Sequence, residues 1–106
     1  MSNKDNVIQM LKAIGVPYAY DHFSEKEAVK PPFIVYRYPS SNNFVADARV
    51  YFKIDALHIE LYTDKKNPDL EERVEENLNR YGFIYFKHEV WIDTEKMYQV
   101  LYETEV

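Results

Sequence analysis

The sequence predicts an α+β fold: a mainly antiparallel β-sheet with two α-helices packed on one face. Two segments carry apolar residues at helical spacing, and each is closed by one of the only two glycines in the chain. The other apolar residues lie in short runs rich in Val, Ile, Phe and Tyr, the composition of strands. Helix, strand, strand, helix, strand, strand is the resulting order, with room for a further short strand after the first helix. That order lacks the regular strand–helix alternation of a parallel sheet.

The first helix is expected over Asp5–Ile14. Val7, Leu11 and Ile14 form its apolar stripe, Ile8 widens it, and Asn3 or Asp5 can cap it. Gly15 ends it and Pro17 prevents its continuation. Val16–Phe23 reads as a short strand or an extended connector, and the polar stretch Ser24–Pro32 as a loop. Phe33–Tyr38 is a strand that Pro39 stops, followed by the strongest turn signal, Ser40-Ser41-Asn42-Asn43. Phe44–Arg49 continues that loop. Val50–Thr63 then reads as one long strand whose apolar parity changes at Asp55-Ala56. Keeping both halves inward requires one extra residue there, as a β-bulge or as a turn between two separate strands.

The second helix has both ends marked. Asn67 can cap it, Pro68 suits its first position, and Asp69, Glu71 and Glu72 place negative charge at its positive end. Leu70, Val74, Leu78 and Tyr81 make its stripe, and Gly82 is its stop. Its other face carries Glu71, Glu72, Glu75 and Glu76 and reads as solvated. Phe83–Lys87 and Glu89–Ile92 are two strands or one bent strand, and Asp93-Thr94-Glu95 is a turn. Met97–Glu105 closes the sheet, with Tyr98, Val100 and Tyr102 on one face.

With 106 residues the chain is expected to form a single domain, 1–106, and its ten Tyr, six Phe and one Trp argue against disorder. No apolar run is long enough for a membrane span, and no signal core follows Met1-Ser2-Asn3-Lys4, so neither membrane association nor secretion is expected. The absence of cysteine excludes disulfides, thiolate metal sites and cysteine nucleophiles. A net charge of −5 argues against general nucleic-acid binding. Tyr36-Arg37-Tyr38, Arg49 and Tyr51 mix aromatic and basic residues, but alternation sends Arg37 to the face opposite Tyr36 and Tyr38.

Chemistry is thinly signalled. His58, Glu60 and Tyr62 share one strand face and could recruit His88 as a further metal ligand, but a zinc site needs three or four convergent groups. The plainer reading is a solvent-facing strand surface. Asp21-His22 and His88-Glu89 are adjacent pairs, which point to opposite faces of an extended chain. No nucleophile sits beside a base in a recognisable pattern. The expectation is therefore no catalytic residue, no cofactor and no metal. The ten tyrosines fit both a core border and a protein–protein surface.

Four stretches carry a family likeness that runs through most of the chain: Ile14-Gly15-Val16-Pro17-Tyr18, Pro32-Phe33-Ile34-Val35-Tyr36, Asn43-Phe44-Val45-Ala46-Asp47, and Glu60-Leu61-Tyr62-Thr63-Asp64-Lys65-Lys66 before the acidic helix. In these the chain resembles the tail-completion or tail-terminator proteins of long-tailed bacteriophages and prophages of Gram-positive bacteria. The resemblance implies a virion structural protein, made in the bacterial host cytoplasm, without cofactor or catalysis. Its partners would be itself, commonly as a sixfold ring, the tail-tube protein and the head connector protein. Another head–tail connector component, an adaptor or stopper, and a prophage-encoded module that binds a host protein are the alternative readings. Pro39–Arg49 is longer than a compact hairpin connection needs. It places Phe44 and Val45 directly after a polar tip, so it reads as an exposed arm. Asn42, Asn43, Phe44, Val45, Asp47 and Arg49 are the candidate interface residues.

Overall fold

Residues 3–24 and 29–106 are described by the computed structural model. The fold is α+β: two helices, a five-stranded, mostly antiparallel mixed sheet and a small separate hairpin. Helix α1 spans Asn3–Ile14. Val7, Leu11 and Ile14 are buried as their spacing predicts, joined by Met10. Gly15, with φ +86°, turns the chain out of the helix in a conformation that a side chain would strain. The predicted loop over 24–32 falls in part on 25–28, which lie outside the described residues.

The main sheet has the order β1-β2-β5-β7-β6. Its strands are β1 (Tyr18–Tyr20), β2 (Phe33–Arg37), β5 (Ala56–Thr63), β6 (Phe86–Ile92) and β7 (Met97–Glu105). Only β1 and β2 run parallel; the other neighbours are antiparallel. The register places Ile34 beside Leu61 and Leu61 beside Val100, and Tyr36 beside Ile59 and Ile59 beside Tyr102. These residues form the helix-facing side, and period-2 alternation sends their neighbours to the other side. The strand over Phe83–Lys87 and Glu89–Ile92 proves to be a single strand that begins at Phe86.

Helix α2 covers Pro68–Arg80. The Asn67 side chain accepts the Leu70 N–H at 3.2 Å. At the other end the Phe83 N–H reaches the Leu78 carbonyl at 2.9 Å and the Gly82 N–H reaches that of Asn79 at 3.1 Å. Those two bonds make a Schellman stop and use carbonyls that the helix itself leaves orphaned. Leu70, Val74 and Leu78 join the α1 stripe and the sheet in one core, with Tyr81 packed at its border. Both helices thus lie on the same face.

The long strand expected over Val50–Thr63 does not exist. It is divided into β4 (Arg49–Phe52) and β5, and β4 pairs with β3 (Phe44–Ala46) instead of entering the main sheet. Of the two accounts of the parity change, the division into separate strands holds. Phe44–Ala46 is a strand, not a continuation of the loop. Val50 and Phe52, expected to face inward, are exposed on this hairpin.

Two readings of polar residues are also corrected. Glu71 is not on a solvated helix face: it is 4% exposed. Lys66 Nζ lies 2.7 Å and Lys87 Nζ 2.8 Å from its carboxylate. Lys66 also binds Glu89, and Lys87 binds Glu75 at 2.9 Å. The Tyr102 hydroxyl donates to Glu75 at 2.8 Å. This clasp ties α2 to the β6 edge. Burial would push the Glu71 carboxyl up, but the hydrogen bonds and charges of the two lysines outweigh it and hold it below its ordinary value. Burial, and then the Glu75 carboxylate, push the Tyr102 hydroxyl far above its ordinary range.

The sheet face turned away from the helices is partly covered too. Glu60 there is 6% exposed, not solvent-facing. Arg37 Nε donates to it at 3.1 Å and the Tyr62 hydroxyl at 2.8 Å, and Gln99 donates to the Tyr62 oxygen at 2.8 Å. Phe33 stacks on Tyr62, with ring centroids 5.1 Å apart. Burial and the bond to Glu60 raise the Tyr62 hydroxyl to about 12. Long side chains therefore cover part of this face without a second layer.

Candidate functional site

The hairpin β3–β4 is the feature that the body of the fold does not use. Its strands are joined by Asp47 and Ala48, with φ of 51° and 59°. A two-residue turn with both central residues in the left-handed region matches the twist of the strands it joins. Ala46 pairs with Arg49, Val45 with Val50 and Phe44 with Phe52, with an irregularity between the last two pairs. The Phe44 and Phe52 rings lie 6.1 Å apart. All the same, Phe52 is 65% and Val45 60% exposed, and Phe44 and Val50 are exposed as well.

A fixed neck holds this arm. The Asn42 N–H donates to the Ile54 carbonyl at 2.7 Å and the Ala56 N–H to the Ser40 carbonyl at 2.9 Å. The Ile54 N–H donates to the Asn43 side-chain oxygen at 2.9 Å. Asn42 Nδ2 reaches Glu105 at 3.4 Å. Asp55 and Val106 exchange backbone bonds of 3.0 and 2.9 Å, and Lys4 Nζ sits 2.9 Å from the Asp55 carboxylate. The neck is thus tied to the end of β7 and the start of α1.

The six candidate interface residues separate into two groups. Asn42 and Asn43 sit in the neck, with their amides engaged. Phe44 and Val45 lie on β3, Asp47 in the turn and Arg49 at the start of β4. Sequence reasoning missed Val50 and Phe52 as members of the same exposed surface. The two-residue spacing between the β3 and β4 segments was the signal, but Asp-Ala lacks the glycine that usually marks such a turn.

An open groove of about 550 Å³ lies at the neck end of the sheet, lined by Ala56, His58, Ile84, Phe86, Glu103 and Glu105. Ile84 is 83% exposed, and Phe86 is exposed beside it. His58 and His88 do converge, on Glu103, at 4.0 and 3.7 Å. Among the described residues no group of three His, Asp or Glu side chains is placed to hold a metal ion. Asp21 and His22 also meet, at 3.0 Å on the surface, because φ +65° at Asp21 breaks the extended run.

No protein-family model matches this chain, and no curated protein matches it.

Proposed function

We propose that this chain is a structural protein of a phage or prophage virion, a tail-completion or tail-terminator protein at the head–tail junction. It works by self-association and by docking to the tail-tube and head-connector proteins, and it catalyses nothing. The observation that carries this reading is the arm. A two-stranded ribbon is at best marginal alone in water, and this one exposes Val45, Val50 and two phenylalanines on a rigid neck. Apolar side chains in that setting are stabilised when a partner covers them. The segment resemblance supplies the kind of assembly in which such a partner is present.

The test is complementation of a phage deleted for this gene, read by infectivity and electron microscopy. Deleted particles are expected to show heads and tails that fail to join, and the intact gene to restore them. A variant with Phe44–Lys53 replaced by a short Asn-Gly turn, which leaves the neck bonds of Ser40, Asn42 and Asn43 in place, should keep its circular dichroism and fail to restore joining. Normal joining in the deleted phage, or full rescue by the folded short variant, would sink the proposal.

A further inference from the structure

The two edges of the main sheet are finished differently. The β1 edge is blunted: the strand is three residues long, Pro17 before it has no N–H to offer, and φ +65° at Asp21 breaks the extended run after it. The β6 edge carries none of these devices. It pairs with β7 in an unbroken register, from Phe86 beside Glu103 to Ile92 beside Met97, with no bulge and no proline. Its one lysine, Lys87, does not guard the edge, because it is drawn onto Glu71 and Glu75 of α2. Among the described residues no backbone hydrogen bond beyond the ladder with β7 reaches residues 86–91. Alternate N–H and C=O groups of β6 therefore stand open, beside the exposed side chains of Phe86, Val90 and Trp91.

The residues on this edge are self-complementary. Read from either end about His88, the stretch matches Ile84 with Ile92, Tyr85 with Trp91, Phe86 with Val90 and Lys87 with Glu89. Two antiparallel strands related by a two-fold axis set residues opposite one another in this way. With the axis at His88, apolar meets apolar and aromatic meets aromatic. An axis one residue to either side sets Lys87 on Lys87 or Glu89 on Glu89, and like charges directly opposite destabilise a strand pair. Lys87 and Glu89 keep their partners in the clasp, so their opposite signs across the axis remove a repulsion and add no ion pair. The faces agree as well. Phe86 and Val90 lie beside Glu103 and Gln99, on the side of the sheet away from the helices, and a two-fold axis normal to the sheet keeps every residue on its own face.

We propose that β6 pairs with β6 of a second copy in an antiparallel, two-fold dimer centred on His88. The two five-stranded sheets join into one, with the helices of both copies on the same side. Phe86 of each copy lies beside Val90 of the other. The new ladder pairs the open backbone groups of the edge, and the apolar side chains along it set the register. The contact uses the same surface on both copies and closes at two. It is thus unlike the head-to-tail contact of a sixfold ring, and it uses neither the arm nor any part of the virion reading above.

The chain has no native cysteine, so disulfide trapping can read the register. Phe86→Cys and Val90→Cys, both at exposed positions, are purified separately, mixed and mildly oxidised. Opposed residues of an antiparallel pair lie about 4.5–5.5 Å apart, within reach of a disulfide. Pairing raises the effective concentration of the two thiols, so the mixed disulfide should exceed that of Val90→Cys with an exposed helix control, Glu72→Cys, by about tenfold or more. Sedimentation should show the intact chain as a dimer. Val90→Lys, which sets a charge against Phe86 of the other copy, should shift it toward monomer with its circular dichroism unchanged. The variant with residues 44–53 replaced should dimerise as the intact chain does. A monomer at the highest soluble concentration, a mixed yield equal to the control, a predominance of either homodisulfide, or loss of the dimer with the arm would overturn the proposal. The mixture contains no phage component. A specific cross-link with failed complementation therefore removes the virion reading and leaves the dimer standing.

Discussion

The body and the arm are built from similar residues and differ in what covers them. In the body, Val74, Leu78, Leu57, Ile59 and Val100 are enclosed between two helices and a sheet. In the arm, Phe44, Val45, Val50 and Phe52 sit on two short strands and remain exposed. The body gains stability from every buried methylene. The arm draws its order from the neck and its turn, so its side chains are available for a second purpose. Side-chain type alone therefore does not say whether an aromatic or β-branched residue belongs to a core; the layer above it does.

The contrast is broken most directly at Leu78. Leu78→Ala should cost about 2–5 kcal/mol, the usual range for a buried leucine, whereas Phe52→Ser should change global stability by less than about 0.5 kcal/mol. Denaturant unfolding of the two variants checks both values, and comparable losses would mean that the arm belongs to the same cooperative unit.

The next effect belongs to the clasp. Glu71→Ala removes the shared acceptor of two lysines that still reach water, and should cost about 1.5–3 kcal/mol, the range for charged hydrogen bonds. The pH dependence follows from the direction of each shift. The Glu71 carboxyl lies below its ordinary 4.5 in the folded chain, so its contribution is present above that value and is lost as pH falls through the folded one. Hydrogen bonding to Glu71 and Glu89 raises Lys66 above 10.5. Burial lowers Lys87, but its bonds to Glu71 and Glu75 outweigh that and raise it as well. Their contribution is present below 10.5 and lost as pH rises through the raised values. Thermal unfolding from pH 3 to 11 should show both losses flattened in Glu71→Ala.

A smaller loss is expected for Tyr102→Phe. Its hydroxyl reaches Glu75 at 2.8 Å and the Glu71 carbonyl at 3.4 Å. Removing it should cost about 0.5–1.5 kcal/mol, one net hydrogen bond, with the ring packing unchanged, as urea unfolding would measure. The smallest global effect is assigned to Ala48→Gly. Glycine relieves a left-handed strain worth about 1–2 kcal/mol, but only in the hairpin. Hydrogen exchange of β3 and β4 amides should slow while the global unfolding midpoint stays put; a raised midpoint would show that the arm is coupled to the body.

Both helices, the caps of α2 and the faces of β2, β5 and β7 could be read from consecutive residues, whereas Asp5, offered as a cap of the first helix, lies inside it. Asn67, Pro68 and Gly82 act within a turn of where they stand, and alternation in Tyr98, Val100 and Tyr102 is a property of the strand itself. These are short-range effects, complete within a few consecutive residues. It also placed an exposed segment after Pro39. Three features depend on residues that meet from distant parts of the chain. The separation of β4 from β5 depends on bonds between Asp55 and Val106, which lie far apart in the chain. The burial of Glu71 depends on Lys87 arriving from β6, and that of Glu60 on Arg37 arriving from β2. A carboxylate read alone belongs in water because burying an unpaired charge is costly. Remote partners reverse that preference, and the groove at Ile84, Phe86 and Glu103 exists for the same reason: β6 and β7 bring its sides together.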